Sequence, residues 1–158
     1  MQVKDVMTRG VECARPTDSV VAAAAKMRDL EIGTLPVCGD HQRLVGMVTD
    51  RDITIRTVAD GRDAKLTEVR DVMTPNVVFC FDDQDVREAA ETMEKNQVRR
   101  LVVLNRDKWL VGIVSLGDLA TDTHDQQLTA NVLEAVSQPA RPGAPAASVM
   151  PQSEISAL

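Results

Sequence analysis

Two nine-residue stretches, LVGMVTDRD at residues 44–52 and LVGIVSLGD at 110–118, constrain this chain more than any other feature. Each is an apolar, β-rich run that closes on a hydroxyl residue, Thr49 or Ser115. Three positions later comes an aspartate, Asp52 or Asp118, in the first turn of a helical pattern. Gly46 recurs as Gly112, an offset of 66 residues. The same offset carries Asp5-Val6-Met7-Thr8 onto Asp71-Val72-Met73-Thr74, Met27 onto Met93, and Leu35-Pro36-Val37 onto Leu101-Val102-Val103, without a gap. A chain of 158 residues repeated at that period reads as two small units, each marginal alone.

Bulk properties narrow the function classes. With 44% hydrophobic and 27% charged residues the chain reads as soluble and globular, and no apolar run approaches the length that crosses a bilayer. Residues 1–5 reach an acidic side chain at once, unlike a secretory signal, so a cytoplasmic protein is expected. A net charge of -6 argues against nucleic acid, whose binding rests on clustered Lys and Arg. Cys13, Cys38 and Cys80 form no Cys-x-x-Cys pair and sit in apolar runs, where buried thiols are the default. His41 and His124 lack metal-ligand spacing, so no metal site is expected. No nucleophile–base pairing and no Gly-rich phosphate loop with Lys is present, so neither catalysis nor a required cofactor is expected. Two Phe and one Trp are few, and a ring-shaped ligand would be sandwiched by aliphatic side chains.

Patterning predicts the elements. Val3, Val6 and Met7 share one side of a short helical turn, and residues 11–15 read as a brief strand ended by Pro16. Thr17 or Asp18 caps a helix over Ser19–Leu30, which Gly33 ends through positive φ. Leu35–Cys38 and Leu44–Thr49 form a hairpin about Gly39–Gln42, and a helix follows over Asp50–Ala59. The second copy repeats this as a strand over Asn76–Phe81, a helix over Asp85–Asn96, a hairpin of Leu101–Leu104 with Leu110–Ser115, and a helix from Leu116 to about Asp122. Leu128, Val132, Leu133 and Val136 mark a further helix over 127–137. The fold class is therefore α+β, a mixed α/β protein of two pseudo-symmetric β-α-β-β-α repeats, at 1–66 and 67–124. A terminal helix at 125–137 and a Pro- and Ala-rich tail, flexible by composition, at 138–158 complete the chain.

These residues resemble a known family, the tandem CBS domains of the Bateman module. The carriers are the two DVMT segments, IGTLPV at 32–37 with VRRLVV at 98–103, and above all LVGMVTDRDI and LVGIVSLGDL. The resemblance covers about residues 3–123 and is greatest to short stand-alone bacterial members, the hypoxic-response type among them. It implies a packed CBS-domain pair with two clefts between the repeats, where relatives hold adenosine-containing ligands such as AMP, ADP, ATP, S-adenosylmethionine or NAD(H).

A carboxylate accepts hydrogen bonds from both ribose hydroxyls, and a neighbouring Thr or Ser hydroxyl completes the set. The resemblance gives that role to Asp118 with Ser115 and to Asp52 with Thr49. Helix capping by the same four residues is the other reading, and the two coexist. Family alignment puts Arg99 and Arg100 toward ligand phosphate, where the first copy has Gly33 and Thr34; a solvated surface pair is the alternative. One cleft then combines Ser115, Asp118, Arg99 and Arg100 with Ile32 and Ile113 around adenine. The other combines Thr49 and Asp52 with Met47 and Val98, and must use Arg51 or Arg99 for phosphate. Cys13 and Cys38 fall on strands that are neighbours in the family fold, so a redox-responsive disulfide stands beside two reduced thiols.

The functional expectation is a regulatory, signal-transducing module and not an enzyme. It binds an adenine nucleotide, AMP or ATP first, pairs as a homodimer through its Ala-rich first helix and the helices from Asp50 and Leu116, and is read by an unidentified regulated protein. The alternative is a ligand-independent stress or interaction dimer, redox-responsive through Cys13 and Cys38.

Overall fold

The structure, a computed structural model, describes residues 1–139, so the expected tail lies outside the described residues from 140 onward. In chain order the elements are α1 (Val3–Val6), α2 (Val20–Leu30), β1 (Thr34–Cys38), β2 (Leu44–Thr49), α3 (Asp50–Ile53), α4 (Val69–Val72), β3 (Phe79–Phe81), α5 (Val86–Asn96), β4 (Arg100–Leu104), β5 (Leu110–Ser115), α6 (Leu116–Asp122) and α7 (Gln126–Ser137). Helix α3 runs on as a π-helical turn, Thr54–Ala59.

The sequence repeats run 1–66 and 67–124, but the folded units cut across them. One unit comprises Glu12–Val77, and the other joins Met1–Val11 to the chain from Val78. Each unit thus contains the DVMT segment of the opposite repeat. In the first, Thr74 and Met47 exchange both backbone hydrogen bonds, at 2.8 and 2.9 Å. In the second, Thr8 and Ile113 do the same at 2.9 and 3.0 Å. Glycine permits this approach: a Cβ at Gly46 would stand 2.8 Å from the Met73 sulfur and 3.0 Å from the Thr74 carbonyl. One at Gly112 would stand 2.7 Å from both the Met7 sulfur and the Thr8 carbonyl.

In the Glu12–Val77 unit β1 and β2 pair antiparallel, with Leu35 opposite Val48. The strand expected over 11–15 reduces to one parallel bridge, Ala14 to Val37. The cap of α2 is Ser19, whose Oγ accepts from the Ala22 amide at 3.1 Å; Asp18 instead closes a turn by accepting from the Arg15 amide at 2.8 Å. The helix ends on Glu31 at φ 54°, not on Gly33. Glu31 takes the left-handed position because its amide closes back onto the Met27 and Arg28 carbonyls. The hairpin connection is a 3-10 turn, Asp40–Gln42. Val20, Ala23, Met27, Leu35, Val37, Val48, Val69 and Val72 close the core.

In the other unit β3 lies parallel to β4, and β4 antiparallel to β5. The strand expected from Asn76 begins only at Phe79. Asp85 caps α5 by accepting from the Arg87 amide at 2.9 Å. Helix α7 packs on α5 and α6 and places Val132 in a core with Met93, Leu101, Val114 and Leu119. Leu133, expected on the same face, is exposed. Residues 128, 132 and 136 line up at i, i+4 spacing, whereas 133 is rotated about 100° from that line. Among the described residues no helix is long and apolar enough to cross a membrane.

Candidate functional site

Each hairpin ends in the same chemical arrangement. At the end of β5 the Ser115 amide donates to Asp118 Oδ2 at 2.7 Å and the Ser115 hydroxyl donates to the same oxygen at 2.8 Å. The Asp118 amide in turn donates to Ser115 Oγ at 3.2 Å. At the end of β2 the Thr49 amide and hydroxyl each donate to Asp52 Oδ2 at 2.9 Å, and the Asp52 amide donates to Thr49 Oγ1 at 3.1 Å. These are reciprocal capping boxes, which arise because a strand entering a helix leaves amides without partners. Capping, one of the two readings open from sequence, is therefore realised at both turns. Oδ2 of each aspartate is committed to the cap, the single hydroxyl proton is spent on it, and Oδ1 takes no part in the box.

The two Oδ1 atoms differ. Asp118 Oδ1 has no hydrogen-bond or ion-pair partner among the described residues, whereas Asp52 Oδ1 lies 3.8 Å from Arg56 Nη1. Arg56 was not among the residues singled out from sequence. The i, i+4 spacing from Asp52 was the available signal, and its counterpart 66 positions on is Asp122.

Arg99 and Arg100 are exposed, and neither forms a side-chain ion pair among the described residues. Their main chain lies against the turn, since Arg100 is in register with Ser115 and the Leu116 amide donates to the Arg99 carbonyl at 2.9 Å. In the other unit Thr34 pairs with Thr49, and the Asp50 amide donates to the Gly33 carbonyl at 3.0 Å. Arg51 is exposed on the first turn of α3. The amide and carbonyl of Ile113 are paired with Thr8, as those of Met47 are with Thr74, so in both strands the side chains are the parts left without a backbone partner. Ser115, Asp118, Arg99, Arg100, Ile113 and Val98 belong to one unit. Thr49, Asp52, Met47, Arg51 and Ile32 belong to the other.

A second constellation lies within Glu12–Val77. Cys13 Sγ and Cys38 Sγ are 2.7 Å apart, in hydrogen-bond contact, with Cys38 buried and Cys13 half-buried. The Lys26 ammonium donates to the Cys13 carbonyl at 2.7 Å. The hydrogen bond from Cys38 holds Cys13 below the ordinary thiol range against its burial, with Lys26 assisting. Cys38 is pushed upward by the same bond and by burial. Burial beside Asp82 pushes Cys80 up to about 12. Among the described residues no three His, Cys, Asp or Glu side chains gather as metal donors.

A duplicated helix, hairpin and helix, with a hydroxyl–aspartate box at each hairpin end, defines a tandem-repeat mixed α/β protein. The family model of the CBS domain matches residues 3–56 and 69–123, and the chain belongs to the CBS-domain family, with two repeats. It is 38% identical over 117 residues to hypoxic response protein 1 of Mycobacterium tuberculosis, covering 74% of this chain and 81% of that protein. The crystal structure of hypoxic response protein I with two coordinated zinc ions is similar at a TM-score of 0.71 and 37% identity, over 77% of this chain and 98% of that one. Two ligand complexes are also similar. CBSX2 in complex with AMP shares 27% identity at a TM-score of 0.67, over 80% of this chain and 98% of that one. The CBS domain pair of protein MJ0100 in complex with 5′-methylthioadenosine and S-adenosyl-L-methionine shares 28% identity at a TM-score of 0.68, over 76% and 93%.

Proposed function

We propose that this chain is a non-catalytic regulatory module of the cytoplasm that binds an adenosine-containing small molecule through the Ser115–Asp118 turn. AMP or ATP is the first choice, with NAD(H) and S-adenosylmethionine as the other adenosine ligands. The observation that carries this reading is the Asp118 carboxylate, fixed at Oδ2 by the Ser115 amide and hydroxyl and open at Oδ1. A carboxylate already held in place accepts a ribose diol without losing further side-chain freedom. Arg99 and Arg100, exposed beside that turn, are free to meet phosphate. The complexes of CBSX2 and of MJ0100 support the same ligand class. Occupancy shifts the population of conformers, and a partner protein reads that shift.

Calorimetric titration of AMP, ATP and NADH into wild type and Asp118→Ala tests the reading. Binding by wild type with at least a tenfold loss in Asp118→Ala is expected, since a charge-assisted pair of hydrogen bonds is worth about 1.5–3 kcal/mol. Equal binding by both removes Asp118 from the site.

The module pairs with a second copy. Val21, Leu30, Ile55 and Val58 are exposed, Val58 at 70%. The matching positions of the second repeat hold Arg87, Asn96, Thr121 and His124, so these four apolar positions have polar or charged counterparts there. Helix α6, a third element expected in the dimer contact, has its buried residue Leu119 covered within its own unit, where α7 packs on it. Light scattering at micromolar concentration is expected to return a dimer, and a monomer would refute pairing.

The 2.7 Å approach of the two thiols favours a second reading, a redox-responsive module. A two-electron oxidant such as a peroxide takes both thiol hydrogens and electrons and leaves a Cys13–Cys38 disulfide.

A further inference from the structure

The two capping boxes match bond for bond, so any difference in how the aspartates bind must come from what surrounds Oδ1. We infer that Arg56 is a built-in occupant of the Asp52 carboxylate, which disables the Asp52 turn as a nucleotide anchor and leaves the Asp118 turn to fill alone. The inference rests on the proposed adenosine-binding reading and adds which turn is competent and why.

Arg56 is held where it stands. Its Nη1 donates to the Val72 carbonyl at 2.6 Å and to the Met73 carbonyl at 3.2 Å. Those are the last carbonyl of α4 and that of its C-cap residue, neither of which has a partner inside the helix. Swinging the guanidinium away would give up both hydrogen bonds. From that anchorage Nη1 lies 3.8 Å from Asp52 Oδ1, the one oxygen the capping box leaves open, and the Asp52 side chain is only 18% exposed. A ribose hydroxyl approaching Asp52 meets an acceptor whose free edge is flanked by a cation. The π-helical turn carrying Arg56 belongs to this unit alone.

The other unit inverts the charge. Asp122 stands where Arg56 would be, exposed at the end of α6. It has no hydrogen to donate to a carbonyl and no attraction for Asp118. Nothing therefore competes with a diol for Asp118 Oδ1.

Titration of AMP, ATP and NADH into four chains tests this: wild type, Asp118→Ala, Arg56→Gln and Asp122→Arg, each checked for folding by circular dichroism. Wild type is expected to take one equivalent per chain, lost in Asp118→Ala. Arg56→Gln should add a second equivalent that a further Asp52→Asn removes. Asp122→Arg places the same cation at i, i+4 from Asp118 on an exposed position, and should weaken the first equivalent about two- to fivefold, the scale of an exposed ion pair. One Asp118-dependent equivalent that ignores both arginine changes overturns the inference and leaves the adenosine reading intact. So does weaker binding in Arg56→Gln, which would make Arg56 a ligand contact. Absence of binding to every chain overturns both.

Discussion

The Glu12–Val77 unit and the unit formed by Met1–Val11 with the chain from Val78 share a scaffold and differ in chemistry. Leu35 and Leu101, Val37 and Val103, Val48 and Val114 fill equivalent buried positions. Ser19 and Asp85 cap equivalent helices, and Glu31 and Gln97 end them in the same left-handed conformation. Away from that frame the copies part. The thiol pair Cys13–Cys38 answers to Phe79 and Leu104, Arg56 answers to Asp122, and Gly33-Thr34 to Arg99-Arg100. Leu66 is 81% exposed whereas its counterpart Val132 is fully buried on α7. Duplication preserves the central core positions, where volume is fixed by packing, and varies most of those outside them, although buried Cys38 against buried Leu104 shows that the edge of the core varies too.

Deleting one core leucine at a time tests that sharing most severely. Leu35→Ala and Leu101→Ala each remove a fully buried side chain, and each is expected to cost about 2–5 kcal/mol by denaturant melting. The comparison breaks if only one of the pair is costly, because equivalent positions would then not be equivalent in packing.

Oxidation separates the units. A Cys13–Cys38 bond closes a loop spanning 25 positions and is expected to add about 3 kcal/mol. Mass spectrometry should show the loss of two hydrogens, and Cys13→Ser should abolish both effects. The reduced protein carries a pH signature. Because the thiolate is the nucleophile, Cys13, lowered by its Cys38 hydrogen bond, should alkylate with iodoacetamide below the ordinary thiol range. Cys80, pushed up to about 12, should stay inert until far more alkaline pH. Alkylation of Cys80 ahead of Cys13 would contradict the assignment.

The two glycine contacts sharpen the comparison. Gly112→Ala and Gly46→Ala each force a methyl into the DVMT segment, at about 1–3 kcal/mol by the same melts. Gly112→Ala should be the worse, because the backbone carbonyl of Thr8 stands at 2.7 Å and that of Thr74 at 3.0 Å. Equal melts would mean that both segments shift freely.

Much of the scaffold was legible in residue order. Polar punctuation and periodicity located α2, α5, α7 and both hairpins, because those signals are local. Where reading failed, a tertiary partner had decided. Residues 11–15 carry strand-like composition, yet only Ala14 finds a neighbour. Gly33 looked like the helix stop, yet the bonding needs of the Met27 and Arg28 carbonyls put Glu31 there. At the candidate site the sequence marked Ser115, Asp118, Thr49 and Asp52, since their spacing is that of one helical turn. It did not show that Oδ2 is spent on capping in both.

By itself the sequence determined that the fold is written twice and that each copy ends its hairpin in a hydroxyl and an aspartate, because caps and alternation act over a few residues. Only the tertiary structure decided that each DVMT segment packs on the other copy's glycine, and that Arg56 reaches Asp52 while clasping α4. Those contacts join residues far apart in the chain, where close approach and carbonyls without partners select the neighbour and local pattern carries no record of the choice.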